Sequence, residues 1–227
     1  QRLMLNRTML DKYDYEFPSE LIARRPAAPR ESARLLIYDR TTGQRQYDTF
    51  ANLAKYLPPH SVVVFNKTKV VPARLRLHKP TGGEVSALYI GTAGDLVLML
   101  ADGKLIPSTT VTCSDISFKI ESVEKGVYKL KPSFPIAELF SVLERLGTTP
   151  LPPYIKKPEL TEAEARQEYQ SVFAHEAGSV AAPTASLHFT PQLIANLKAA
   201  GHDVMYVTLH VNRGTFAPLT EQQITSG

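Results

Sequence analysis

The sequence predicts a mixed α/β fold, a mixed-sheet α/β domain interrupted by a small antiparallel β-barrel. Three observations carry this. Stretches of mixed helix and strand texture lie at both ends of the chain, over residues 1–60 and 155–227. Between them, over residues 61–154, come many short apolar runs broken by Gly, Pro or Asp, the pattern of a small closed sheet. The 227 residues are also enough for one large core or two modest ones.

The first zone opens with Tyr15-Glu16-Phe17-Pro18 and Leu21-Ile22-Ala23, then a basic, proline-containing stretch, Arg24 to Arg30. Arg34-Leu35-Leu36-Ile37-Tyr38 reads as a strand and Thr41-Thr42-Gly43 as its turn. Phe50 to Leu57 spaces its apolar residues at three and four, a short helix stopped by Pro58-Pro59. In the second zone the strand candidates are Ser61–Phe65, Arg74–Leu77, Val85–Ile90, Leu96–Leu100, Thr109–Cys113, Ile116–Ile120 and Val127–Leu130. A helix over Pro135–Leu146 has a proline suited to its first turn and Gly147 at its end. In the third zone Thr161 and Glu164 fit a capping box. Thr190-Pro191 starts a second helix that Gly201 ends. Val204 to Val211 is a strong strand.

Composition narrows the class. Hydrophobic residues make up 43% and charged residues 21%, ordinary for a soluble globular chain. No apolar run is long enough to span a bilayer, and the first residues lack the apolar centre of a signal peptide, so a cytoplasmic location is expected. The single cysteine, Cys113, excludes an internal disulfide framework and a cysteine-rich metal site. A net charge of +4 admits an anionic partner such as RNA without demanding one. Dinucleotide-binding, P-loop, zinc-protease and nucleophile-elbow signatures are absent.

The candidate chemistry lies in the third zone. If a strand precedes the loop Ala181–Phe189, the order is strand, loop, helix, strand. The loop and the end of the last strand then share one edge of the sheet, the edge at which open α/β sheets bind ligands. That edge gathers His188 and Thr190 with His210, Asn212, Arg213, Gly214 and Thr215. The helix start at Pro191 adds free N–H groups and a positive dipole end, suited to a carboxylate or phosphate. A histidine flanked by Leu187 and Phe189 is also compatible with plain packing. A second notable loop, Asn66 to Arg74, carries two lysines and an arginine.

At these residues the chain resembles the S-adenosylmethionine:tRNA ribosyltransferase-isomerase family of queuosine biosynthesis. The shared words are Tyr15-Glu16-Phe17-Pro18, Leu21-Ile22-Ala23, Arg25-Pro26, Ser32-Ala33-Arg34-Leu35-Leu36, Asn66 to Arg74, Leu151-Pro152-Pro153-Tyr154-Ile155, Tyr169-Gln170, Ala181 to Thr190, Leu209-His210-Val211 and Gly214-Thr215-Phe216. The resemblance implies an α/β domain interrupted by a barrel. It implies transfer and isomerisation of the ribosyl part of S-adenosylmethionine onto a 7-aminomethyl-7-deazaguanine base in tRNA. It implies S-adenosylmethionine as substrate rather than resident cofactor, tRNA as partner, no metal, no membrane, and a monomer. The reaction needs a base of near-neutral pKa, because the sulfonium acidifies the neighbouring C5′ hydrogens. The resemblance therefore assigns His188 and His210 to catalysis. It assigns Asn66, Thr68, Arg74, Pro183, Thr184, Thr190, Arg213, Gly214 and Thr215 to substrate binding. Ser186 stands where the family has Gly, and Asn212-Arg213 where it has a small loop. In the barrel, Leu100-Ala101-Asp102-Gly103-Lys104 stands where the family has a basic stretch and Ser86 where it has an acidic residue. The lost barrel charges and the Asn212-Arg213 change admit an alternative, a catalytically inactive relative that binds RNA or an adenosine-type ligand.

Overall fold

The computed structural model describes residues 14–155, 158–212 and 214. Strand β1 (Arg34–Tyr38) pairs antiparallel with β2 (Arg45–Thr49) across a turn that Asp39 holds by accepting the Thr41 and Thr42 N–H groups. Phe50–Tyr56 follows as a 3₁₀ helix, tighter than the α-helix its spacing suggests.

The barrel is built from β5 (Arg74–His78), β6 (Glu84–Ala93), β7 (Leu96–Ala101), β8 (Thr110–Cys113), β9 (Ile116–Glu124) and β10 (Val127–Pro132). It closes in the order β10-β7-β6-β5-β8-β9, every pair antiparallel. Alternate residues point inward: Leu75 and Leu77, Val97 and Met99, and Phe118 and Ile120 are all fully buried. Helix α1 (Leu139–Leu146) lays Leu139, Val142 and Leu143 onto this core. Gly147 ends it at a point where a Cβ would stand 1.8 Å from the Pro72 carbonyl oxygen. That close approach lets Thr148 bridge Arg74 through both backbone groups.

The two strands before the barrel pair elsewhere. Strand β3 (Val62–Asn66) runs parallel to β12 (Asp203–Val207), and β4 (Thr68–Val70) runs parallel to β11 (Glu176–Ser179). Lys67 joins both pairs: its N–H donates to Val207 and its carbonyl accepts from His175. Helix α2 (Glu162–Glu168) realises the capping box of Thr161 and Glu164. Helix α3 (Pro191–Ala199) starts on Thr190, whose hydroxyl accepts the Leu193 N–H. Leu193 and Leu197 pack with Phe65 and Phe189 in a second core beneath β3 and β12.

The strand read over Val204–Val211 ends earlier, at Val207. Its partner β3 stops at Asn66, and from there a side chain replaces the ladder. The Asn66 carboxamide donates to the Leu209 carbonyl and accepts the Leu209 N–H, at 2.8 and 3.0 Å.

Candidate active site

A cavity of about 300 Å³ opens between four segments: residues 22–30, the stretch around Leu151–Leu160, the end of helix α2 at Glu168 and Tyr169, and the turn Thr184–His188. Its volume is at the small end of ligand pockets. Most of the wall is aliphatic or proline, with Tyr154, Tyr169, Thr184 and His188 among the polar groups.

His188 is half-buried, its ring 5.2 Å from that of Phe50. Burial lowers its pKa below the usual histidine value, and the nearby Arg30 guanidinium lowers it further. The ring is therefore neutral at physiological pH and able to accept a proton. Tyr169 stands in the same wall; burial raises its hydroxyl pKa against an opposing hydrogen bond from the Ala182 backbone.

Arg30 ties this wall together. Its guanidinium donates to the carbonyls of Gln167, Glu168, Gln170 and Leu187, and pairs with the Glu168 carboxylate at 3.3 Å. Four of these five acceptors end helix α2 or directly follow it, where carbonyls lack helical partners and a cation is favoured. The fifth, Leu187, adjoins His188. Arg25, also in the wall, holds the Glu159 carbonyl at 3.0 Å and the Glu164 carboxylate at 2.6 Å. Gln170 clamps Val70, donating to its carbonyl and accepting its N–H.

A second polar group lies at the end of β4. Thr68 and Ser179 are fully buried, with their hydroxyls 2.8 Å apart. Thr68 Oγ1 is also 2.8 Å from His210 Nδ1, and Ser179 Oγ accepts the Val211 N–H at 2.7 Å. The exposed His210 ring lies against Gly178, where a Cβ would stand 2.8–2.9 Å from three ring atoms.

The expected residues thus divide. His188 and Thr184 line the cavity, and Pro183 precedes their turn. Asn66, Thr68 and His210 form the second group, and His210 is not among the residues that line the His188 cavity. Thr190 uses its hydroxyl as the cap of α3. Arg74 is half-buried in the barrel, where it donates to Ser86. Gly214 is exposed, and Arg213 and Thr215 lie outside the described residues. Ser186 is buried and donates to the Pro183 carbonyl within its own turn. Sequence reasoning missed Arg30, Gly178 and Ser179. Arg30 sat inside a noted basic stretch, but its partners are 137–157 residues away in the chain.

Comparison with known proteins identifies the family. The model of the family described as "Queuosine biosynthesis protein" matches residues 10–227. The chain belongs to this family. An S-adenosylmethionine:tRNA ribosyltransferase-isomerase of Aquifex aeolicus (strain VF5) is 41% identical over 219 residues, covering 95% of this chain and 64% of the relative. The same-named protein of Nitratidesulfovibrio vulgaris (strain DP4) is 41% identical over 237 residues, covering 93% and 63%. The chain therefore spans a little under two thirds of the length of these curated relatives. The crystal structure of an S-adenosylmethionine tRNA ribosyltransferase from Thermotoga maritima aligns with 88% of this chain and 58% of its own, at 28% identity and a TM-score of 0.36. Among the described residues of this family member, no helix is long and apolar enough to cross a membrane.

Proposed function

We propose that this chain carries the nucleoside-binding part of an S-adenosylmethionine:tRNA ribosyltransferase-isomerase. The observation that supports it best is a neutral, half-buried His188 in the wall of a largely apolar cavity, in a chain 41% identical to proteins of that name. The aliphatic and aromatic walls suit an adenosine-sized group. His188 is the base that takes a proton from C5′ next to the sulfonium. The aminomethyl group of the modified base then receives the ribosyl unit as methionine and adenine leave. Thr184 lines the same wall and Pro183 leads into its turn, while Asn66 and Arg74 lie toward the RNA and the buried Thr68 acts through His210. The barrel is an insertion within the α/β part, and the enzyme works on tRNA in the cytoplasm as a monomer.

The inactive-module alternative is not favoured. The hydroxyl of Ser186, a residue that differs from the family's Gly beside His188, is used within its own turn, and Ser186 does not line the cavity. The test is release of adenine from S-adenosylmethionine in the presence of tRNA bearing the aminomethyl precursor base. Adenine release is expected from the unaltered protein, and His188→Ala should reduce it by roughly a hundredfold or more with the circular dichroism unchanged. Undiminished release by that variant overturns the role of His188.

A further inference from the structure

The second polar group fixes more than a position, because its protons can be assigned. Ser179 is fully buried, and its oxygen already accepts the Val211 N–H. Its own proton therefore needs an acceptor, and the one in reach among the described residues is Thr68 Oγ1, 2.8 Å away. Thr68, also fully buried, must then place its proton elsewhere. The His210 Nδ1 atom is 2.8 Å away and the Glu176 carbonyl is 3.5 Å away, beyond the usual range for a hydroxyl donor. The proton goes to Nδ1. A neutral ring that accepts at Nδ1 carries its hydrogen on Nε2.

The rest of the seat holds the ring in place. Gly178 has φ +150°, a conformation open to glycine, and any side chain there would collide with the ring. The Asn66 clamp on Leu209 fixes the backbone immediately before His210. The ring is thus stacked on a glycine, wired to the core along one edge, and exposed along the other.

We infer that His210 is locked as its Nε2–H tautomer and acts as a hydrogen-bond donor to an oxygen of the substrate, not as a base. Thr68, Ser179 and Gly178 are its positioning residues. The donor role rests on the ribosyl-transfer reading of the cavity; the tautomer does not. The oxygen is that of an anionic group, either the carboxylate of S-adenosylmethionine or a phosphate of the RNA.

Long-range proton–nitrogen correlation on ¹⁵N-labelled protein reads the tautomer directly. The expected spectrum has a bare Nδ1 and a protonated Nε2 for His210, and in Thr68→Val the Nδ1-protonated form gains population. A proton on Nδ1 in the unaltered protein overturns the inference. Turnover tests the donor role. His210→Ala should lose on the order of a hundredfold, the usual cost of removing one preorganised donor. His210→Gln, which keeps an N–H group, should lose about tenfold less than that. Equal losses in the two variants overturn the donor role. Calorimetry with S-adenosylmethionine alone, and separate binding of tRNA, identify the oxygen: weakening confined to the first points to the carboxylate, and to the second to a phosphate. Weakening of neither overturns the contact. If even the unaltered protein releases no adenine, the reading of the cavity fails while the tautomer and binding results still decide this inference.

Discussion

The barrel and the His188 cavity are held in opposite ways. Four of the six barrel pairings join strands that are consecutive in the chain, β5 with β8 and β7 with β10 close the rest, and the interior is filled by alternate apolar side chains with near-zero exposure. The cavity is assembled from segments more than a hundred residues apart, joined by guanidinium-to-carbonyl and guanidinium-to-carboxylate bonds. The barrel's stability therefore resides in buried area, which is non-directional. The cavity's geometry resides in a few polar ties, each of which fixes a direction. Evolution can alter a barrel residue for another of like volume at little cost, but exchanging Arg30 disturbs several contacts together.

The largest expected effect lies in the barrel. Phe118 is fully buried beside Phe134, and Phe118→Ala removes a ring from a closed core. It should cost about 3–5 kcal/mol, read as a lowered denaturant midpoint with accelerated amide exchange throughout β5 to β10. A loss below about 1 kcal/mol would remove the contrast drawn here, since it would mean the barrel is not the packed part.

Arg30→Met should show the opposite pattern. The substitution keeps much of the apolar stem but removes the donors to four carbonyls, at a cost on the order of 2–3 kcal/mol expressed locally. Amide exchange should accelerate at residues 167–170 and 184–188 while the barrel amides hardly change. It should also move His188. Arg30 is the second cause of the lowered pKa, after burial, so its removal raises the ring's titration midpoint toward the ordinary value of 6.5. The sign for stability follows. A histidine with a depressed folded pKa is neutral in both states above the unfolded value and costs nothing there. As pH falls below it the unfolded chain takes the proton first, and stability falls. Arg30→Met should therefore show a shallower acid loss from this group, with the acidic limb of adenine release shifted upward. A limb that stays in place would separate His188 from the activity.

How much of this was legible in the sequence follows the same division. Arg34–Tyr38, Arg74–Leu77 and Ile116–Ile120 were readable as strands because β-alternation is local: each residue's face is set by its nearest neighbours. The two helix starts at Thr161 and Thr190 were readable because a cap needs only three residues. The pairing of β3 with β12 and of β4 with β11 was not, because partners some 100 residues or more away leave no periodic trace. The candidate list reached His188 and His210 by topology and resemblance. It grouped them on one edge, and only the coordinates separate a ring desolvated beside an arginine from one wired through Thr68 to Ser179. Gly178 carried no signal, since the close approach that requires it comes from a residue 32 positions later in the chain.

The smallest expected effect sits where the two kinds of support meet. Thr161 caps α2, and Glu164 completes the box while also holding Arg25 of the cavity wall. Thr161→Ala removes a cap worth roughly 1 kcal/mol and leaves the barrel untouched. The Glu164 carboxyl is held below its ordinary value chiefly by the Thr161 backbone N–H, then by the Thr161 hydroxyl, with Arg25 contributing less. Its stabilisation is present above the unfolded value of 4.5 and is lost as pH falls through the folded one. In Thr161→Ala the hydroxyl contribution is gone, so the difference in stability between variant and parent should narrow on acidification. If the gap instead stays constant with pH, the cap acts only through the backbone of α2, and the link from α2 through Arg25 to the cavity carries no electrostatic coupling.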